Sequence, residues 1–144
     1  MTSLAHITSN EQVKALENQM RDLPQTDLGT THLIHAGMYA RTIFIPKDTV
    51  LTGALTNCDN ICIIHGDITV TTSSGNKRFT GFNVIPADSG FKRAGVSHED
   101  TYWTTVFQTD STVLEDIEKE VTDEHAGLQS NSPLLKNNRG TLCL

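Results

Sequence analysis

The stretch Met38-Tyr39-Ala40-Arg41-Thr42-Ile43-Phe44-Ile45 decides how the chain is read. It is rich in β-branched and aromatic residues, and its pattern has a period of two. In an extended strand successive side chains point to opposite faces. Tyr39, Arg41, Ile43 and Ile45 therefore share one face, and Met38, Ala40, Thr42 and Phe44 share the other. Working outward, Pro46-Lys47-Asp48 reads as a turn, and residues 49–52 as a short strand ended by Gly53. Residues 61–64 are a continuous apolar run, as expected for a strand covered on both sides. Gly66-Asp67 interrupts it and residues 68–72 continue it. Ser73-Ser74-Gly75-Asn76 reads as a hairpin loop. Residues 77–80, 82–85, 91–94 and 102–108 complete the set, punctuated by Gly81, Pro86, Gly90 and Gly95. Seven or eight short strands with no helix between them exclude a parallel βαβ architecture and predict a sandwich, barrel or jelly roll.

A helix precedes the strands and another follows them. Ser9 and Gln12 form a capping box, and Val13, Leu16, Met20 and Leu23 make one narrow helical stripe that Pro24 ends. The stripe predicts a helix lying on a body or on a neighbouring subunit. After Asp110 or Ser111, Val113, Leu114, Ile117 and Val121 form a second stripe, with Glu115, Asp116, Glu118 and Glu120 expected to face water. The acids sit mostly in its first half, where they complement the helix dipole. Beyond His125 the sequence is polar except for Pro133-Leu134-Leu135 and Leu142-Cys143-Leu144.

The chain has 144 residues, enough for one domain and one core. Its net charge is −6 and its pI about 5.4, which excludes nucleic acid as the main partner. The charge is concentrated: residues 110–125 hold seven acids and one base. No run reaches the roughly 18–20 apolar residues that cross a bilayer, so no membrane partner is expected, and residues 1–10 lack the pattern of a secretory signal. Three cysteines without a CxxC indicate neither a disulfide scaffold nor a zinc ribbon. Cys58 and Cys62 would lie about 13 Å apart in an extended strand, too far to bridge. They are expected as reduced thiols, in keeping with a cytosolic setting, and Cys143 is a candidate reactive thiol. No G-x-S-x-G, P-loop or HExxH occurs.

Residues 39–107 resemble a small single-domain cupin. The likeness is carried by Ile45-Pro46-Lys47-Asp48-Thr49 leading to Gly53, by Ile61-Cys62-Ile63-Ile64-His65-Gly66-Asp67-Ile68, and by Val84-Ile85-Pro86-Ala87 to Gly90. Lys92-Arg93-Ala94-Gly95 and Glu99-Asp100-Thr101-Tyr102-Trp103-Thr104-Thr105-Val106 are similar to small cupin-like proteins encoded by tailed bacteriophages. Metal-binding cupins hold a divalent ion with two His, a Glu and a later His that converge inside the barrel. With the first motif anchored on Gly66, the Glu position falls on Asp59. The two His positions fall on Gly53 and Leu55, or on Thr52 and Ala54, and the later His falls near Phe91 or Lys92. The resemblance thus implies a barrel without the usual metal cage, and no cofactor is expected.

The residues that could carry chemistry each have an ordinary reading beside a functional one. His65 has the strand parity of Asp59 and could point inward with it, or bond at a strand end. His32 and His35 would share a face only in a helix. His98-Glu99-Asp100 reads as a polar loop. Arg41, if interior, needs an acid or an anionic ligand, because a buried unpaired charge is very costly, and Asp59 and Glu99 are the expected acids. The candidate ligand-binding set is Tyr39, Arg41, Asp59, His65, Lys92 and Trp103, with Arg41 and Lys92 as donors and Trp103 or Tyr102 as a wall. A displaced metal site would draw on His35, Asp59, His65 or His98.

The expected architecture is a mainly β, single cupin-type jelly-roll barrel. Residues 1–34 form a helix and linker, 35–109 the barrel, 110–125 an acidic helix and 126–144 an extended C-terminal arm. The leading functional expectation is a non-catalytic homo-oligomer of phage type. It would assemble through its helices and arm, with other phage structural proteins as further partners, in the host cytoplasm or the virion. The alternatives are a cupin that binds a small anion, sugar or nucleotide, and a metal-dependent enzyme with a displaced site.

Overall fold

Ser9 caps the first helix as its sequence predicts. Its hydroxyl accepts from the Gln12 N–H at 3.3 Å, while Gln12 Oε1 accepts from the Ser9 N–H at 3.2 Å. In the computed structural model, which describes Leu4 and residues 6–128, helix α1 spans Asn10–Met20. It ends before Pro24, and Leu23 lies beyond it in solvent. Val13 and Leu16 pack with Leu4 on Ala94 and Val96, so the stripe of α1 is buried on this chain's own barrel.

Six antiparallel strands follow: β1 (Thr31–His35), β2 (Met38–Ile45), β3 (Val50–Thr52), β4 (Asn60–Thr72), β5 (Gly75–Ala87) and β6 (Ala94–Gln108). Their order is β1-β2-β6-β4-β5, with β3 beside the first residues of β6. Two predicted pairs of short strands are each one long strand, and the last strand is longer than predicted. Residues 61–64 and 68–72 join through a register shift between His65 and Ile68, residues 77–80 and 82–85 join through Gly81, and the predicted loop His98-Glu99-Asp100 is inside β6. A β-bulge keeps a strand going where sequence shows only a glycine and an acid. Strand β1 begins in the predicted linker and ends at His35, the first residue of the predicted barrel, and His32 and His35 point to opposite faces of the sheet.

The inward residues of both halves meet in one core. Ile43 and Ile45 of β2, Ile64 and Ile68 of β4, Phe79 of β5 and Trp103 of β6 pack together there. Helix α2 (Leu114–Val121) closes one end, with Ile117 and Val121 against Tyr39 and Phe107. Ile117 and Val121 of its stripe are thus buried on this chain, while Val113 of that stripe and Leu23 of the first remain exposed. The apolar points at 133–135 and 142–144, and Cys143, lie outside the described residues, as does most of the predicted arm.

Candidate functional site

Arg41 lies on the inward face of β2 and is only 1% exposed. Its partner is Glu118 of α2, with Nη1 3.3 Å from Oε2, rather than the expected Asp59 or Glu99. The same nitrogen donates to Tyr39 Oη at 3.3 Å, and His32 Nδ1 lies 2.8 Å from that oxygen. Burial pushes the Tyr39 phenol up, against the opposing charge and hydrogen bond of Arg41. Arg41 and Tyr39 thus belong to a structural network under α2. Glu118, expected in water, is buried because α2 turns that side toward the barrel end.

Lys92 is likewise structural. Its ammonium lies 2.8 Å from Glu124 Oε1, 3.0 Å from Glu17 Oε2 and 2.8 Å from the Gly53 carbonyl. All three donors are used, and they tie α1, the chain after α2 and the loop after β3 together. Burial works to raise the Glu124 carboxyl, but the Leu55 N–H and the Lys92 ammonium outweigh it and hold the group below its usual value. A depressed folded value contributes stability that is present above the unfolded carboxylate range, near 4.3, and is lost as pH falls through the folded value. Glu124→Gln is accordingly expected to be less stable than the parent near neutral pH, with the gap narrowing on acidification. Urea melts at about pH 7 and about pH 3 measure it, and a gap that stays constant would contradict the pairing.

The remaining candidates are scattered. Asp59 is exposed and accepts from the Ser89 N–H at 2.8 Å. His65 shares its parity, as predicted, but that parity faces outward, and the ring lies edge-on to Phe82. His98 Nε2 lies 2.7 Å from Thr69 Oγ1, and His35 ends β1 in solvent. Among the described residues no three His, Cys, Asp or Glu side chains are placed to hold a metal ion. The donor set of the barrel interior does not fit the ion of metal-binding cupins either. The one thiol that lines the interior gap, Cys62, faces a guanidinium there.

That guanidinium belongs to Arg93, the neighbour of Lys92. Extended neighbours point in opposite directions, so while Lys92 turns to the two carboxylates, Arg93 turns into the barrel. It stands between two adjoining small lobes of the barrel interior, of about 40 and 30 Å³. Gly53, Arg93 and Trp103 line both. The first lobe adds Asn60, Cys62 and Thr105, and the second adds the aliphatic Ile43, Leu51, Ile68 and Val70. Arg93 Nη1 is buried and has no hydrogen-bond partner among the described residues. Burial pushes the Cys62 thiol up, with the Arg93 charge and bonds to Trp103 and Thr105 pulling against it, so the thiol is neutral near pH 7. Its Sγ donates to Asn60 Oδ1 at 3.4 Å. Trp103 is the one member of the predicted ligand set that lines the cavity. The sequence named Lys92 of the basic pair as the donor; in the structure Arg93 lines the cavity, and Glu17 and Glu124, which nothing local reveals, hold Lys92.

No protein-family model matches the sequence, and no curated protein matches it. Solved structures do. A cupin superfamily protein from Desulfitobacterium hafniense superposes with a TM-score of 0.51 at 8% identity, over 64% of this chain and 86% of that one. KdgF from Halomonas sp. gives 0.49 at 16% identity, over 66% and 92%. A cupin-2 domain protein from Shewanella frigidimarina gives 0.47 at 8% identity, over 64% and 91%. At such identities the likeness is one of fold: the chain is a cupin-type β-barrel flanked by an N-terminal and a C-terminal helix. No helix among the described residues is long and apolar enough to cross a membrane.

Proposed function

We propose that this chain is a small-molecule-binding cupin whose barrel takes a small carboxylate with a short apolar body. The observation that carries this reading is the buried Arg93 Nη1, which has no partner among the described residues, at the junction of a polar and an aliphatic lobe. A buried donor left unmade costs about 1–3 kcal/mol, and a folded chain tolerates that where a ligand supplies the acceptor. A carboxylate does so with a charge-assisted bond to the planar guanidinium. Asn60 and Thr105 stand beside it as neutral hydrogen-bonding groups, while Trp103 and the aliphatic lobe receive the ligand's body. The enclosed space is small, about 40 and 30 Å³ in the two lobes, and favours the smallest acids over sugars or nucleotides. The phage setting, and a place in a host cytoplasm or virion, rest on the sequence resemblance alone.

The test is a thermal-shift panel of short-chain carboxylates, phosphate and sulfate at constant ionic strength, on the parent and on Arg93→Met. At a hundred times its dissociation constant a ligand adds about 2.7 kcal/mol. Arg93→Met is expected to weaken binding about 10- to 150-fold, the equivalent of about 1.5–3 kcal/mol for a charged hydrogen bond. It should leave the free protein as stable as the parent or more so, because it removes the unmet donor. Equal shifts in both proteins, or none in either, would end the proposal.

A further inference from the structure

Strands β4 and β6 run side by side, and their register sets Cys62 directly opposite Thr105. Inward positions recur every second residue along a strand. Asn60 therefore stands one inward step before Cys62, and Trp103 one inward step before Thr105. Arg93 belongs to the segment that leads into β6, where its carbonyl accepts from the Gly53 N–H at 2.9 Å. All five side chains line the polar lobe. Cys62, Trp103 and Thr105 are 4%, 6% and 4% exposed, so the sulfur sits where bulk solvent hardly reaches it.

This thiol has company that a merely packed cysteine does not need. Its Sγ donates to Asn60 Oδ1 at 3.4 Å. The Trp103 indole and the Thr105 hydroxyl bond to the sulfur, and the Arg93 charge acts on it. An acceptor for its proton, neutral donors and a cation thus converge on one buried sulfur. Donors fixed in this way stabilise negative charge where it develops during a reaction. At rest the thiol is protonated, and a protonated, buried thiol is a weak nucleophile toward reagents met at random. An electrophile held beside it escapes that limit, because fixed geometry makes a bimolecular step effectively intramolecular. Arg93 offers that hold to any electrophile that carries a carboxylate.

We propose that this lobe captures small α-oxo acids covalently and reversibly, with Cys62 as the nucleophile and Arg93 as the anchor of the carboxylate. The proposal rests on the carboxylate reading of Arg93 and names the class of acid. In an α-oxo acid the electrophilic carbon is bonded directly to the carboxylate carbon, so anchoring one end brings the other to the sulfur that shares the lobe. The sulfur forms a bond to that carbon, the carbonyl π bond breaks, and its electron pair takes up the thiol proton. The product is a hemithioacetal. No group leaves, and no oxidant or reductant is needed. The new hydroxyl has Asn60 and Thr105 as hydrogen-bonding neighbours, and a short substituent on the same carbon enters the aliphatic lobe. Acids without the carbonyl are held by their carboxylate alone.

Glyoxylate isotopically labelled at its aldehyde carbon tests this by NMR on the full chain. The parent is expected to show a hemithioacetal carbon that Cys62→Ala lacks. It should also bind glyoxylate at least about tenfold more tightly than acetate, an excess that Cys62→Ala should remove. A second measurement needs no change at the cysteine. Iodoacetate, which carries a carboxylate, should alkylate Cys62 of the parent at least about tenfold faster than the uncharged iodoacetamide. Glyoxylate should protect that thiol, and peptide mapping separates it from Cys58 and Cys143. Absence of the hemithioacetal carbon would overturn the capture, as would an adduct on another cysteine or equal alkylation by the two reagents. If acetate still binds the parent more tightly than Arg93→Met, the carboxylate site outlives that result. If no acid binds the parent at all, the site falls together with the capture.

Discussion

Glu118→Ala is expected to destabilise the protein by about 3–5 kcal/mol, because it takes the facing carboxylate from a buried guanidinium. Arg41 sits on the inward face of β2 with Glu118 3.3 Å away on α2. Both are shut off from solvent, Arg41 almost wholly. Water cannot rehydrate the cation without displacing α2, whose Ile117 and Val121 cover Tyr39 and Phe107. The loss is a large share of a typical folding free energy of about 5–15 kcal/mol. Taking both charges away should cost far less: Arg41→Met with Glu118→Leu is expected to recover more than half, since buried pairs are often replaced by packed apolar groups at no net loss. Chemical denaturation of the two variants decides it. A loss below about 1 kcal/mol for Glu118→Ala would mean that α2 does not depend on the pair.

Gly66→Ala is expected to cost about 2–4 kcal/mol through backbone geometry alone. Gly66 has φ +149° at the point where β4 shifts register against β6. A Cβ there would lie 2.6 Å from the Asp100 carbonyl and 2.7 Å from Thr101 Cα, both backbone atoms that cannot swing away. The neighbouring Thr101 hydroxyl accepts from the Asp67 N–H at 3.1 Å and donates to the Glu99 carbonyl at 2.9 Å, so a shift would also break the bonds that hold the bulge. Gly81→Ala is the control. It also has a positive φ, +71°, but nothing stands within 4 Å of the place its new methyl group would take, so only the left-handed penalty of about 1–2 kcal/mol applies. Equal losses at the two glycines would refute the close approach of β4 and β6.

The β architecture was legible because alternation and turn residues are local. The Ser9–Gln12 cap and both helical stripes were legible for the same reason. What escaped was set by distant partners. A bulge and a turn both present as a glycine beside a polar residue, so Gly66-Asp67 looked like a break while β6 holds both sides of it in one sheet. Strand β1 has exposed alternate positions and only β2 to pair with, which leaves little periodic signal. Counting acids on α2 put Glu118 in water, because nothing nearby reveals an arginine waiting on β2. In the candidate site, Trp103 could be chosen from its strand parity. Arg93 could not be told from Lys92, since the difference lies in Glu17 and Glu124, one on each side of the barrel in sequence.

Trp103 is the only tryptophan and it lines both lobes beside Arg93, so its emission reports the cavity directly. Titrating short-chain carboxylates at fixed ionic strength should give a saturable change in that emission in the parent and a curve displaced at least about tenfold in Arg93→Met. A signal that never saturates for any acid tried, or one that arises at the same concentration in both proteins, would show that the unmet guanidinium is not a ligand site.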